Sequence, residues 1–167
     1  MTKRDIATDY FKQGYNCAQA VLLAFKDETG LTTEQSAMIA SSFGGGMGKL
    51  REVCGAVSGM LMAAGLIFGY SNPADQTAKS EHYANVQNLA KLFKEKNGSL
   101  ICGELLSGVS SQNTTLTSAE LSSDTPPSVR TPEYYKKRPC GDLVGDAAEI
   151  LEKYITTNIR NSERSTK

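Results

Sequence analysis

The sequence has no tryptophan and a single histidine among 167 residues. A metal site built from several histidines, or a pair of catalytic histidines, is therefore excluded within one chain. An excess of either charge is also missing, because Lys plus Arg and Asp plus Glu both number 18. Overall electrostatic attraction to nucleic acid or to an anionic membrane surface is thus not available. No Cys-x-x-Cys pair occurs, so the zinc-ribbon, thioredoxin and ferredoxin signatures are all absent, as is the Cys-x-x-Cys-His haem attachment motif. Residues 1–16 carry charge but no apolar stretch of the secretory kind. A cytoplasmic location is expected on that basis, and there structural disulfides are disfavoured. Val53–Tyr70 is uncharged, yet it is diluted by glycine and slightly shorter than the roughly 20 apolar residues of a membrane span. It is expected to be a buried core helix, with no span anywhere in the chain.

At 40% apolar and 22% charged, the chain has the composition of a folded domain, and its length suits one hydrophobic core. Its dominant period is helical. Ile6, Ala7, Tyr10 and Phe11 share one face of a first helix. Asn16 is placed to cap a second, over about 17–29, and Thr32 with Gln35 opens a third as a capping box. The flexible loop Phe43–Gly48 precedes the uncharged helix, expected from about Glu52 to Tyr70. Further helices are expected over about Ala74–Lys96, Leu100–Leu106 and Pro139–Ile159. Ser107–Ser128 holds eleven Ser or Thr residues and reads as a polar surface loop. No segment alternates with a strand period. The expected fold is a single all-α domain over 1–159, a bundle of five to seven helices around the glycine-rich one, with a frayed polar tail over 160–167.

Glycine inside a helix costs roughly 1 kcal/mol relative to alanine. In the central segment, Gly55, Gly59 and Ala63 recur at four-residue spacing and form a smooth groove. Either a neighbouring helix packs tightly there, or a cofactor or second subunit uses the close approach that Gly55, Ala56 and Gly59 allow. The second alternative includes a homodimer.

Four cysteines remain, Cys17, Cys54, Cys102 and Cys140, at intervals of 37, 48 and 38 residues. Spacing alone makes them a weak metal signal. Their placement says more, because each falls at or near an expected helix start, and Gly55, Gly103 and Gly141 follow three of them. Free N–H groups and the helix dipole favour negative charge at such positions. A thiolate there can have its pKa drawn down to roughly 3.5–7.5. The competing account is that the four are small buried hydrophobes.

The residues resemble the four-cysteine C_GCAxxG_C_C family, whose redox label comes largely from its cysteines. The resemblance rests on Cys17, then Cys54-Gly55-Ala56-x-x-Gly59, then Cys102, then Cys140. It extends to Gly14-x-Asn16-Cys17-Ala18-Gln19-Ala20-Val21, the glycine loop Phe43–Gly48, Gly98-Ser99, Leu105-Leu106 and the final Cys140-x-x-Leu143-Val144-x-Asp146-Ala147-Ala148. It covers about residues 5–157. It implies a small helical protein related to the helical domain of split-Soret cytochromes, where a non-haem iron–sulfur centre has been considered. The haem part does not carry over.

Other motifs carry less. Gly44–Leu50 fails the Walker A and dinucleotide patterns and has no preceding strand, so no nucleotide is expected. The loop is expected to let the backbone fold close to Cys54, and Lys49 and Arg51 either supply positive charge near a thiolate or cluster or lie on a solvated surface. His82 shares a helical stripe with Val86 and Leu89 and reads as a packed histidine. Tyr134–Arg138 is either a docking patch for an acidic redox partner or ordinary surface. Asn113-Thr114-Thr115 matches a glycosylation acceptor, which has no meaning in the cytoplasm.

The expected function is a redox-active protein in which Cys17, Cys54, Cys102 and Cys140 converge. They would ligate an iron–sulfur cluster or zinc, or cycle as dithiol and disulfide, with an unidentified redox partner. The alternative is a structural or interaction module with packed cysteines. An enzyme built on a cysteine nucleophile would have only His82 as its base.

Overall fold

The computed structural model describes residues 1–108 and 116–165. The Asn113 motif and residues 166–167 of the expected tail lie outside them. Over the described residues the chain is all-α, as expected, with no strand. A lone antiparallel bridge pairs Val53 with Ile101.

Local sequence sets most helix starts. Helix α1 (Lys3–Lys12) opens on a capping box between Thr2 and Asp5. Helix α2 (Cys17–Ala24) opens on one between Asn16 and Gln19, and α4 (Thr33–Ala40) on one between Thr32 and Gln35. In each, the cap oxygen takes an orphan N–H of the first turn and the N3 side chain returns the bond. The helix expected over 17–29 breaks at the buried Phe25 (φ −109°, ψ 16°), leaving α3 (Lys26–Thr29), which Gly30 ends at φ 72°. A 3-10 turn at Ser41–Phe43 leads to the glycine loop. The uncharged helix is α5 (Gly55–Phe68), shorter at both ends than expected. Helix α6 (Gln76–Asn97) is capped by Asp75 and stopped by Gly98 at φ 89°. Then come α7 (Cys102–Leu106), α8 (Ser118–Leu121), α9 (Pro132–Lys136) and α10 (Cys140–Ser165), the last running past the expected Ile159. The ten α-helices among the described residues exceed the expected five to seven because α3, α8 and α9 are single turns of four or five residues. Such turns are too short to show a period.

Helices α2 and α5 cross at the centre; α1 and α10 pack on α2, and α6 packs on α5 and α10. Leu22, Phe25, Met60, Leu89, Phe93 and Leu151 are fully buried between them. Each such side chain contributes about 1.5–3 kcal/mol. Asp146 on α10 takes Arg4 of α1 at 2.5 Å and Lys96 of α6 at 2.8 Å, tying three helices near the start of α10. No helix among the described residues is long and apolar enough to cross a membrane.

The smooth face of α5 is filled by the protein's own α2. A Cβ on Gly59 would sit 2.4 Å from the Ala18 carbonyl oxygen, and one on Gly55 3.1 Å from the Cys17 Cβ. Ala56 and Ala63 are fully buried. The groove along Gly55, Ala56 and Gly59 is therefore a helix-packing surface, the first of the two accounts, and Gly55 at its start also lines a cavity. Close packing of the two backbones is what offsets the glycine cost.

Candidate functional site

All four cysteines lie at helix starts. Cys17, Cys102 and Cys140 are the first residues of α2, α7 and α10, and Cys54 is the N-cap of α5. All four are free thiols and line one cavity of about 270 Å³. Cys54, Cys102 and Cys140 are buried and Cys17 is half-buried.

Two devices bring them together. The first is the bridge between the Cys54 and Cys102 segments. Cys54 N–H donates to the Leu100 carbonyl at 2.8 Å, and Cys102 N–H to the Glu52 carbonyl at 2.6 Å. The second is the glycine loop. Gly45, Gly46, Met47, Gly48 and Lys49 all have φ between 58° and 72°, and Arg51 follows at 65°. The run forms a left-handed turn, held by Lys49 N–H to the Gly44 carbonyl and Arg51 N–H to the Gly45 carbonyl. It is a hydrogen-bonded structure rather than the flexible loop expected. Only glycine visits this region without cost; a side chain there costs roughly 1–2 kcal/mol. Gly46 is also required by space, since a Cβ on it would meet the Cys102 Cβ at 2.7 Å.

The turn delivers Lys49 and Arg51 into the cavity wall, the first of the two readings of these residues. Lys49 Nζ donates to the Pro126 carbonyl at 3.1 Å and to the Thr125 carbonyl at 2.9 Å. Arg51 donates from Nη2 to the Glu120 carbonyl at 2.5 Å and from Nη1 to the Cys102 sulfur at 3.8 Å. Tyr134–Arg138 divides. Lys136 and Lys137 face solvent, whereas Arg138 turns inward over the Tyr134 ring, 4.4 Å from its centroid, and lines the cavity. Neither reading of that segment anticipated an inward arginine. Arg130, which the sequence did not single out, lies 4.6 Å over the Phe11 ring and donates to the Tyr15 carbonyl at 2.7 Å. Among the described residues, the cavity lining thus holds four cations and no carboxylate.

The thiols do not titrate alike. Interaction between the Cys17 and Cys140 sulfurs is the largest influence on both, and it holds Cys17 well above its ordinary value and Cys140 below it. Arg138, Arg130 and Arg51 reinforce the Cys140 thiolate. Burial pushes Cys54 up to about 12, against the opposing pull of the Ala56 and Val57 amides. Burial also raises Cys102, against Arg51 and Arg138. The expectation of low pKa at every helix start therefore holds for one cysteine, because the Cys140 sulfur together with burial outweighs the helix end at Cys17, and desolvation outweighs it at Cys54 and Cys102. Among the described residues, no three Cys, His, Asp or Glu side chains stand as a ready-made metal site.

His82 lies elsewhere, its ring 5.9 Å from that of Phe68 and 6.0 Å from that of Tyr70. It is not in the cavity lining, which removes the one base available to a cysteine nucleophile.

No curated protein and no solved structure shows significant similarity to the chain. The family described as "Putative redox-active protein (C_GCAxxG_C_C)" matches residues 15–154, a span that contains all four helix-start cysteines and both devices that gather them; the chain belongs to that family.

Proposed function

We propose that the cavity is a sulfur-based redox centre in which Cys17, Cys54, Cys102 and Cys140 hold an iron–sulfur cluster or another soft metal. The observation that carries this reading is that four thiols from four helix starts line one cavity with four cations and, among the described residues, no carboxylate. The donor set suits such a group, since an all-thiolate site selects zinc or iron–sulfur. When bound, a cluster supplies one-electron transfer. The chain's own residues offset the charge of the thiolates through Arg51, Arg130 and Arg138 and keep the sulfurs out of bulk water. The same reading places the protein in the cytoplasm with an electron-transfer partner.

The test is anaerobic reconstitution with ferrous iron and sulfide, reading iron per chain and the visible spectrum. Stable iron in the wild type, lowered by each Cys→Ser substitution, is expected. Absence of retained iron and zinc would overturn the metal reading.

Cys17 and Cys140 line the same cavity, with Cys140 the more readily ionised of the two, and this favours a second reading, reversible disulfide exchange. The Cys140 thiolate attacks a disulfide of a partner and expels one thiolate. Cys17, losing its proton to solvent, then attacks the Cys140 sulfur and expels the other. The partner is reduced to two thiols as Cys17–Cys140 is oxidised. Incubation with oxidised glutathione and peptide mapping would show that bridge, and a bridge between any other pair would overturn it.

A further inference from the structure

The cations of the cavity exceed what its own structure uses. Lys49, Arg51 and Arg130 direct donors mainly to main-chain carbonyls, with Lys49 also reaching the Thr125 hydroxyl and Arg51 the Cys102 sulfur, and none of these contacts is to a carboxylate. Among the described residues, only Arg138 of the four has a carboxylate within 4 Å, Glu120 at 3.8 Å. Arg138 is also the least satisfied. Its side chain is 3% exposed, and its Nε is buried with no hydrogen-bond partner. A buried guanidinium donor without an acceptor costs free energy unless a ligand supplies one. An oxyanion presents paired oxygens that match the guanidinium fork. The cavity, at about 270 Å³, falls just below the range of drug-sized pockets and suits a ligand of a few heavy atoms.

We propose that this cavity binds a small oxyanion, of sulfate or carboxylate chemistry, between Arg138 and Arg51 beside Cys140. The ligand's place next to a redox centre rests on the reading above. Its binding rests on the arginines alone. The recognition is by side chains and differs from a nucleotide-phosphate loop, whose pattern the glycine loop lacks.

The probe is sodium sulfate, titrated into the reduced full-length chain against sodium chloride of equal ionic strength. Calorimetry follows binding. Alkylation of Cys140 by uncharged N-ethylmaleimide, mapped by peptide mass, follows occupancy. Sulfate is expected to slow alkylation saturably, by at least fivefold, where chloride does not. R138Q should weaken sulfate binding at least tenfold, while K136Q, the same charge change on an exposed residue, shifts it less than twofold. Equal alkylation rates in the two salts, or equal effects of R138Q and K136Q, would overturn the proposal. If R138Q does not fold by circular dichroism, protection of the wild type decides alone. Sodium acetate at the same ionic strength distinguishes a carboxylate ligand from an inorganic one. A chain with all four cysteines changed to serine separates the two proposals. Retained sulfate binding there, beside a wild type that neither loads metal nor forms a disulfide, leaves the oxyanion site standing alone. Metal loading without sulfate binding leaves only the redox centre.

Discussion

Arg51 Nη1 stands 3.8 Å from the Cys102 sulfur, at the end of a backbone held at a φ of 65°. The guanidinium is fixed there by the Leu121 and Glu120 carbonyls, so the left-handed conformation positions a charge against a buried thiol. Burial raises the Cys102 pKa and Arg51 opposes it. R51Q should therefore raise that pKa further and slow Cys102 alkylation several-fold at neutral pH. Rates mapped per cysteine across pH 6–10 check this; an unchanged Cys102 profile would mean that the contact carries no electrostatic weight.

Two glycines of α5 should respond in opposite directions to the same substitution. Gly59→Ala forces a Cβ to within 2.4 Å of the Ala18 carbonyl oxygen. Overpacking of this kind costs about 1–3 kcal/mol, occasionally more. Gly65 has nothing within 4 Å of its added Cβ and no positive φ, so Gly65→Ala should stabilise by about 0.5–1 kcal/mol. Urea denaturation of the two variants tests the assignment of the groove to α2.

Met47 is half-exposed and sits at φ 63° in the left-handed turn. Gly tolerates that conformation without the steric cost, so Met47→Gly should gain about 1 kcal/mol, raising Tm by roughly 2–4 °C for a chain of this size. A fall in Tm would indicate that the exposed thioether contributes packing that outweighs the strain.

Cys54 makes stability depend on alkaline pH. Its thiol loses its proton at about 12 in the folded protein and near 9 when unfolded. Between these values the unfolded state binds fewer protons, so stability is full below about pH 9 and falls as pH rises toward 12. Complete deprotonation of the unfolded thiol over that window corresponds to about 4 kcal/mol at 1.36 kcal/mol per unit. Cys54→Ala should flatten this part of the stability profile, read by denaturation at pH 8, 9 and 10.

The sequence disclosed the helix starts well, because capping is local: Asn16 with Gln19 and Thr32 with Gln35 carry their partners within one turn. It also placed all four cysteines near helix starts, although capping explains only Cys17, since α5 and α7 open without a side-chain cap. It did not disclose their protonation. Burial is a tertiary property, and for Cys17, Cys54 and Cys102 it and the neighbouring sulfurs reverse the effect of the helix end. Lys49 and Arg51 were visible through their nearness to Cys54 in sequence. Arg130 had no such signal, standing among polar loop residues far from any cysteine. Arg138 did have one, at helical spacing from Tyr134 and two residues before Cys140, yet the adjacent lysines masked it as surface.

The bridge between Val53 and Ile101 has a bearing on how the molecule comes into being. The four thiols come from distant parts of the chain, and nothing local holds any two of them together. Their meeting point exists only after the Cys54 and Cys102 segments have paired and the last helix has docked. During synthesis the emerging polypeptide presents isolated sulfurs, each as unremarkable as any other thiol. Whatever chemistry the cavity performs is withheld until the C-terminal helix arrives, so completion of the fold is itself the step that arms the site.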